Sequence, residues 1–469
     1  MKKINTFVKP VLFTPMKTNF RTALLLILFF STFTSKAQEK KWTLEECVNY
    51  ALQHNISIRE AELDAQLAEV NKSDAYGNFL PNVNANASHF WNIGLTQSIT
   101  GILEQQTTQF TNAGLSAGVD LFKGLQNQRQ YRRQKMALVA SQYQLVKMQE
   151  DVSLNVANAF LEVLFNKENL KVQQEQLQVD LDQAERTKDL VDGGMVPRGD
   201  LLDIQATVAA DRQKVIQSEN QLLISKLSLA QLLQLEEFWK FDIADEEYDL
   251  GEPEVMLNTP MEVYNKAKDL RTEIKIAKAN LEIAEQDVKI ARAAYQPTLT
   301  GFYNLNTRVT YADYSSFENG QVVSITPPPF WNQFWDNKGH SFGFQLNIPI
   351  FNGFATRNNV RKSKIALERS KIAYERQELD LQRNVYTAYT DVQGAQKAYE
   401  AAVSAAEARS QALEYAKERY EVGLINVFDL NQAQTLSVNA QSEVLRAKYD
   451  YIFKIKILDF YFGIPITQN

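Results

Sequence analysis

The sequence predicts a mainly α fold with some β, internally duplicated: a long coiled-coil helical barrel joined to four short strands per chain. Three observations lead there. Long stretches without Pro carry an apolar residue at every seventh position, the mark of left-handed coiled-coil packing. Four segments alternate apolar and polar side chains, the mark of strands with two unlike faces. The 469-residue chain also aligns with itself at a shift of 229 residues.

Composition narrows the alternatives. The chain is 45% hydrophobic and 23% charged, with 12 Pro, 18 Gly and one Cys. That apolar content excludes disorder, and the lone Cys47 excludes a disulfide scaffold. Three His (His54, His89, His340) without a clustered pair argue against zinc, and no cofactor is expected. A formal charge of −6 and a pI near 5.5 disfavour nucleic acid as a partner. Length alone suggests roughly two to four domains.

Residues 1–37 stand apart, with six basic residues (Lys2, Lys3, Lys9, Lys17, Arg21, Lys36) and no acid. The apolar run from Ala23 to Phe33 precedes Ser35-Lys36-Ala37. A basic start, an apolar run and a small-x-small site predict a signal peptide cleaved near Ala37. Either Met1 or Met16 would serve as its start. Its removal takes the charge from −6 to −12. No other stretch reaches 18 consecutive apolar residues, which excludes a polytopic helical membrane protein. A chain that leaves the cytoplasm without spanning helices can enter a membrane only as a β-barrel.

The repeat sets the domain reading: a first unit at 38–235, an acidic, aromatic linker at 236–260, a second unit at 261–462 and a tail at 463–469. LFKG at 121–124 falls on IFNG at 350–353, Gly194 on Gly423, Asp200-Leu201 on Asp429-Leu430, and Gln205 on Gln434. Upstream the register slips, so that NFLPNVNANAS (78–88) corresponds to AYQPTLTGFYN (294–304).

Within each unit the order is helix, strand, loop, strand, long helix, tight turn, helix. The first helices are expected at 43–79 and 261–295. The Pro-free runs at 125–192 and 354–421 predict helices of about 100 Å. Helices about half that length follow at 198–235 and 427–462, so two short helices placed end to end would match one long one. The seams are Val156, Val163, Leu170, Leu177, Ala184 and Val191, repeated as Val385, Val392, Tyr399, Ala406, Leu413 and Tyr420.

The strands are expected at 83–93, 113–121, 299–309 and 342–350, joined by polar loops at 96–111 and 310–340. Ala113, Leu115, Ala117, Val119 and Leu121 alternate with Gly114, Ser116, Gly118 and Asp120. Phe342, Phe344, Leu346, Ile348 and Ile350 alternate with Gly343, Gln345, Asn347 and Pro349. This pattern over about 10 residues suits a transmembrane strand, lipid-facing on one side and lumen-facing on the other. Aromatics at the strand ends (Phe90, Trp91, Phe122, Phe302, Tyr303, Phe342, Phe351) suit interfacial girdles. Four strands cannot close a barrel, since single-chain bacterial barrels need about eight or more. Three chains would supply twelve, so a cyclic homotrimer inserted in membrane lipid is expected. The alternative is a periplasmic adaptor or coiled-coil scaffold with soluble sheets, which would need larger β-domains than these hairpins.

With the WTLEECVNYAL start (42–52), the LPN and QPT turns before strands, the FxG turns after them, and the tips VDGGMVPRGDLLDIQA (191–206) and YEVGLINVFDLNQAQ (420–434), the chain resembles the TolC-like outer-membrane efflux channel family. The resemblance covers nearly all of 42–462. It implies a trimeric duct that joins a periplasmic adaptor and an inner-membrane transporter, with no catalysis. The cargo would be drugs, ions or polypeptides. It assigns Gly193, Gly194, Met195, Val422, Gly423 and Leu424 to tip turns that meet the adaptor. It places Asp429 in an aspartate ring lining the constriction. The family's second ring acid falls on Gln432, and Asp203 could replace it. Tyr420 matches a tyrosine that holds the tip shut and Asp200 its acceptor, whereas the family's arginine is Ile425 here. Asp200 and Asp429 also sit where an acid caps a helix start, which alone would account for them.

Overall fold

A computed structural model describes residues 41–97, 103–246, 248 and 253–466. The expected signal peptide and residues 467–469 of the tail lie outside the described residues.

The described chain opens with β1 (Lys41–Trp42), α1 (Leu44–His54) and α2 (Ile56–Gly77). Thr43 and Glu46 close a reciprocal capping box at the start of α1. The first sheet hairpin, β2 (Asn82–Gln97) and β3 (Leu103–Lys123), leads into α3 (Gln126–Asp192) and α4 (Arg198–Leu233). A connecting segment carries β4 (Asp242–Ile243), which pairs in parallel with β1. The second unit repeats the order. It holds α5 (Pro260–Leu270), α6 (Thr272–Ala293), β5 (Thr298–Thr310), a small hairpin β6 (Tyr314–Glu318) and β7 (Gln321–Ile325), then α7 (Phe330–Asp336), β8 (Gly339–Asn347), α8 (Ala355–Glu421) and α9 (Val427–Phe462).

The duplication is exact in the long helices. Helices α3 and α8 both have 67 residues, start at 126 and 355, and so keep the 229-residue shift. Left-handed backbone recurs at the same shift: Gly124 with Gly353, Leu125 with Phe354, Gly194 with Gly423, Gln234 with Gly463. Both long helices bury their predicted seam in the middle, where Val156, Val163, Val385 and Val392 are fully covered. From Leu170 to Val191 and from Tyr399 to Tyr420 the seam is half-buried.

The first helix of each unit differs from expectation. Neither 43–79 nor 261–295 is continuous. The backbone leaves the helix at Asn55 (φ −66, ψ 128) and Arg271 (φ −64, ψ 130). Asn55 then accepts from Ser57 N at 2.9 Å and restarts the helix, a side-chain cap that no Pro or Gly announces. Both break residues also tie the stacked helix ends together. Asn55 Nδ2 donates to the Leu232 carbonyl of α4 at 3.2 Å, and Arg271 reaches the Phe460 carbonyl of α9 at 3.5 Å. The end-to-end arrangement is therefore present, with α2 and α6 beside the upper half of the long helices and α4 and α9 beside the lower half. Two cores lie at this junction. One holds Cys47, Phe160, Leu229 and Ile243; the other holds Val255, Val263, Leu381 and Tyr451.

Strands β2, β3, β5 and β8 form one antiparallel sheet in that order, leaving β2 and β8 as open edges among the described residues. Cross-strand partners share a face. The row Val83, Ala117, Tyr303, Phe342 is apolar, and the next row, Asn84, Ser116, Asn304, Ser341, is polar. Phe342 and Phe344 are 81% and 75% exposed on the apolar face. Phe90 and Phe302, expected in an outer girdle, lie on the polar face instead. Phe90 is paired with Phe110, and Phe302 lies beneath Gly343. The first hairpin is longer than expected: β3 starts at Leu103, within the predicted loop. Conversely β8 stops at Asn347, because Pro349 cannot donate to the ladder. The predicted loop 310–340 carries β6, β7 and α7.

Candidate functional site

The long helices end in two hairpin tips, far from the sheet, and the same backbone device makes both turns. In the first, Gly194 N bonds the Val191 carbonyl at 2.9 Å and Met195 N bonds the Leu190 carbonyl at 2.8 Å. In the second, Gly423 N bonds Tyr420 O at 3.0 Å and Leu424 N bonds Arg419 O at 2.8 Å. This Schellman pattern needs a residue with positive φ, and Gly194 (φ 73) and Gly423 (φ 75) supply it. Gly193 is ordinary right-handed helix (φ −78), so the turn does not depend on its lacking a side chain.

Beyond the turns the tips differ. Pro197 starts α4 without a side-chain cap, whereas Asn426 starts α9 and its Oδ1 accepts from Asp429 N at 2.9 Å. Asp200 and Asp429 are therefore first-turn acids rather than the capping residues. Each still faces the positive end of its helix dipole. Asp200 is half-buried; Asp203, Asp429 and Gln432 are exposed.

The two tips line an open cavity of about 760 Å3 that includes Asp200, Tyr420 and Gly423 of the expected site residues, together with Ile425, where the family's arginine is missing. Arg186, Lys417, Asp182 and Glu421 bring mixed charge to the same space. Tyr420 and Asp200 thus share one cavity, but no hydrogen bond joins them within the chain. Asp203, Asp429 and Gln432 lie outside it. Met195, Val422 and Leu424 are each about 70% exposed, and Phe428 in the first turn of α9 is 67% exposed. Exposed apolar groups clustered at one end mark a contact surface.

Sequence reasoning missed several residues here. Asn431 Nδ2 donates to Thr207 Oγ1 at 3.1 Å, bridging α9 to α4. Phe428 carried a signal, an aromatic in a helix's first turn, that spacing alone did not rank. Higher in the α3–α4 hairpin, Asp180 and Asp211 are 1% and 4% exposed and face each other, and Asp180 Oδ1 has no hydrogen-bond partner among the described residues. Burial first, and then the Asp211 carboxylate, push the Asp180 carboxyl up to about 7. Gln176 Nε2 donates to Asp180 at 2.8 Å, and Lys214 Nζ neutralises Asp211 at 2.9 Å.

With this geometry in hand, comparison with known proteins is direct. A family model described as outer membrane efflux protein matches residues 47–234 and 263–455. The fold is similar to the outer membrane protein VceC from Vibrio cholerae, with a TM-score of 0.74, 18% identity, and coverage of 90% of this chain and 96% of that one. It is also similar to a membrane protein from Pseudomonas aeruginosa, with a TM-score of 0.76, 19% identity, and 91% of each chain covered. The open state of the MtrE outer membrane channel from Neisseria gonorrhoeae gives a TM-score of 0.69 and 20% identity over 91% of each chain. No curated protein matches the chain significantly. The family match spans both units, and the solved folds cover the whole helix–sheet architecture: the chain belongs to the outer membrane efflux protein family.

Proposed function

We propose that three copies of this chain close a twelve-stranded barrel in the outer membrane, and that the helices of all three form a periplasmic tunnel. The duct passively conducts small molecules, drugs, ions or polypeptides in a tripartite efflux or type I secretion system. An inner-membrane transporter hands over the cargo through a periplasmic adaptor, and the transporter supplies the energy. The chain itself carries no catalysis. The signal peptide is removed near Ala37.

One observation carries the reading: a four-stranded sheet, apolar on one face and polar on the other, with unpaired edges at β2 and β8. Such edges are not tolerated in lipid, so they must pair with neighbouring copies. The tips then gate the inner end. Asp429 forms a ring of like carboxylates that attracts cations, with Asp203 and Gln432 nearby. Tyr420 and Asp200 hold adjacent hairpins closed. The exposed turn residues 193–195 and 422–424, with Phe428, receive the adaptor. Purified protein in planar bilayers tests the duct: trimers with discrete conductance support it. A chain that stays monomeric, or a trimer without conductance, overturns it.

A further inference from the structure

The loop between β5 and β8 folds back onto the apolar face of the sheet. Its helix α7 has the sequence FWNQFWD and follows three consecutive prolines, 327–329. Hydrogen bonds to the end of β5 fix it there. The buried Gln333 side chain accepts from Thr310 N at 3.0 Å and donates to Thr310 O at 2.9 Å and Pro328 O at 2.6 Å. Thr307 Oγ1 donates to Phe334 O at 2.8 Å, and Asn337 Nδ2 donates to Arg308 O at 2.8 Å. Thr307 and Val309 disappear beneath the helix.

The helix does not seal against the sheet. Between them lies a trough of about 460 Å3, within the usual range of ligand pockets. Its floor is made small by Ala85, Ala87 and Ala113, and Phe334 and Trp335 form its roof. Among the described residues that line it, the charged side chain is Lys338, whose Nζ lies 5.5 Å from the Trp335 ring. Trp331 and Trp335 are 65% and 58% exposed beside it. Tryptophans of this kind sit at the level of lipid headgroups. The trough opens on the same face as Phe342 and Phe344, at the outer end of the four-stranded part of the sheet, with the β2–β3 hairpin continuing ten residues beyond Ala87.

We propose that this trough is a lipid site that takes an acyl chain of an anionic, phosphate-bearing membrane lipid, with Lys338 meeting the phosphate. The occupant follows from two features. The trough is continuous with the face that the duct reading places against lipid, and the charge of Lys338 at its edge is complementary to a lipid phosphate. The inference rests on that duct reading for which face meets the bilayer. In this arrangement α7 is an interfacial anchor that fixes the depth of the barrel in the membrane.

Native mass spectrometry of the detergent-purified full chain tests the proposal. The probes are phosphatidylglycerol and diacylglycerol, the second having chains but no phosphate. The wild type is expected to retain up to one phosphatidylglycerol per chain and no diacylglycerol. Ala87→Phe, which fills the trough, and Lys338→Gln, which removes the charge, are each expected to lose the adduct. Absence of a phosphatidylglycerol adduct on wild type, equal retention of diacylglycerol, or unchanged retention in both variants overturns the lipid site. Oligomer mass and bilayer conductance, measured on the same preparations, confirm that each variant is folded. They also distinguish failure of the lipid site from failure of the duct.

Discussion

Replacing Asp180 by Asn should remove much of the pH dependence of the α3–α4 hairpin. Asp180 is 1% exposed, accepts from Gln176 and faces Asp211, so its folded carboxyl stays protonated up to about pH 7, against an ordinary value of 3.8. A raised acid makes the folded state bind more protons than the unfolded state throughout that window. Stability is therefore highest below the lower value and falls as pH rises from about 4 to 7. A gap of about three pKa units, at ~1.4 kcal/mol each, sets a ceiling on the order of 4 kcal/mol. Asn keeps the geometry: its amide can donate to Asp211 and accept from Gln176. The assay is amide hydrogen exchange of peptides covering 176–190 and 205–215, corrected for intrinsic exchange, at pH 5.5 and 8.5. Wild type should loosen at the higher pH and the Asn variant should not. Superimposable behaviour of the two proteins would refute the argument.

Other outcomes follow from the tips and the junction. Gly423→Ala or Gly194→Ala meets no atom within 4 Å, so its cost is conformational alone, ~1–2 kcal/mol, whereas Gly193→Ala, with no positive φ but a Cβ 3.3 Å from the Asp189 carbonyl, should cost less; hydrogen exchange of the tip peptides separates them. Tyr420→Phe should leave the melting temperature of the isolated chain unchanged but raise basal conductance, because its hydroxyl has no hydrogen-bond partner among the described residues; unchanged conductance would make it a packing residue. Arg271 is 4% exposed and bonds Glu150 at 3.0 Å and Glu273 at 3.2 Å. Arg271→Ala strands Glu150, whose carboxyl burial already pushes up, and should cost about 3–5 kcal/mol in thermal or denaturant unfolding.

The helices were legible because heptad spacing and the absence of Pro are local signals that packing reinforced; α9 spans 427–462 as expected. The turns were legible because only Gly relieves the φ near 75 at Gly194 and Gly423. What escaped the reading depended on partners distant in sequence. Residues 103–112, LEQQTTQFTN, show no clean alternation, yet they pair with β2 throughout. Phe90 and Phe302 could be assigned to a face only once the register was known. Asn55 and Arg271 break helices through carbonyls about 180 residues away in sequence, and Asp180 needs Asp211 from the next helix. The family resemblance pairs Tyr420 with Asp200; the two line one cavity with no hydrogen bond between them. Their neighbours Arg186 and Lys417 come from other heptads, which a motif cannot display.

If three copies close the barrel as proposed, the two open sheet edges also govern the kinetics of biogenesis. A solitary chain presents unpaired β2 and β8 backbone together with Phe342, Phe344 and Leu346, 81%, 75% and 60% exposed. It can neither enter lipid alone nor wait safely in water, since such edges template aggregation. Membrane insertion should therefore be steeply dependent on protomer concentration. Dilution after synthesis should trap the chain before the bilayer, and an excess of edge-blocked chains should act as a dominant inhibitor of assembly.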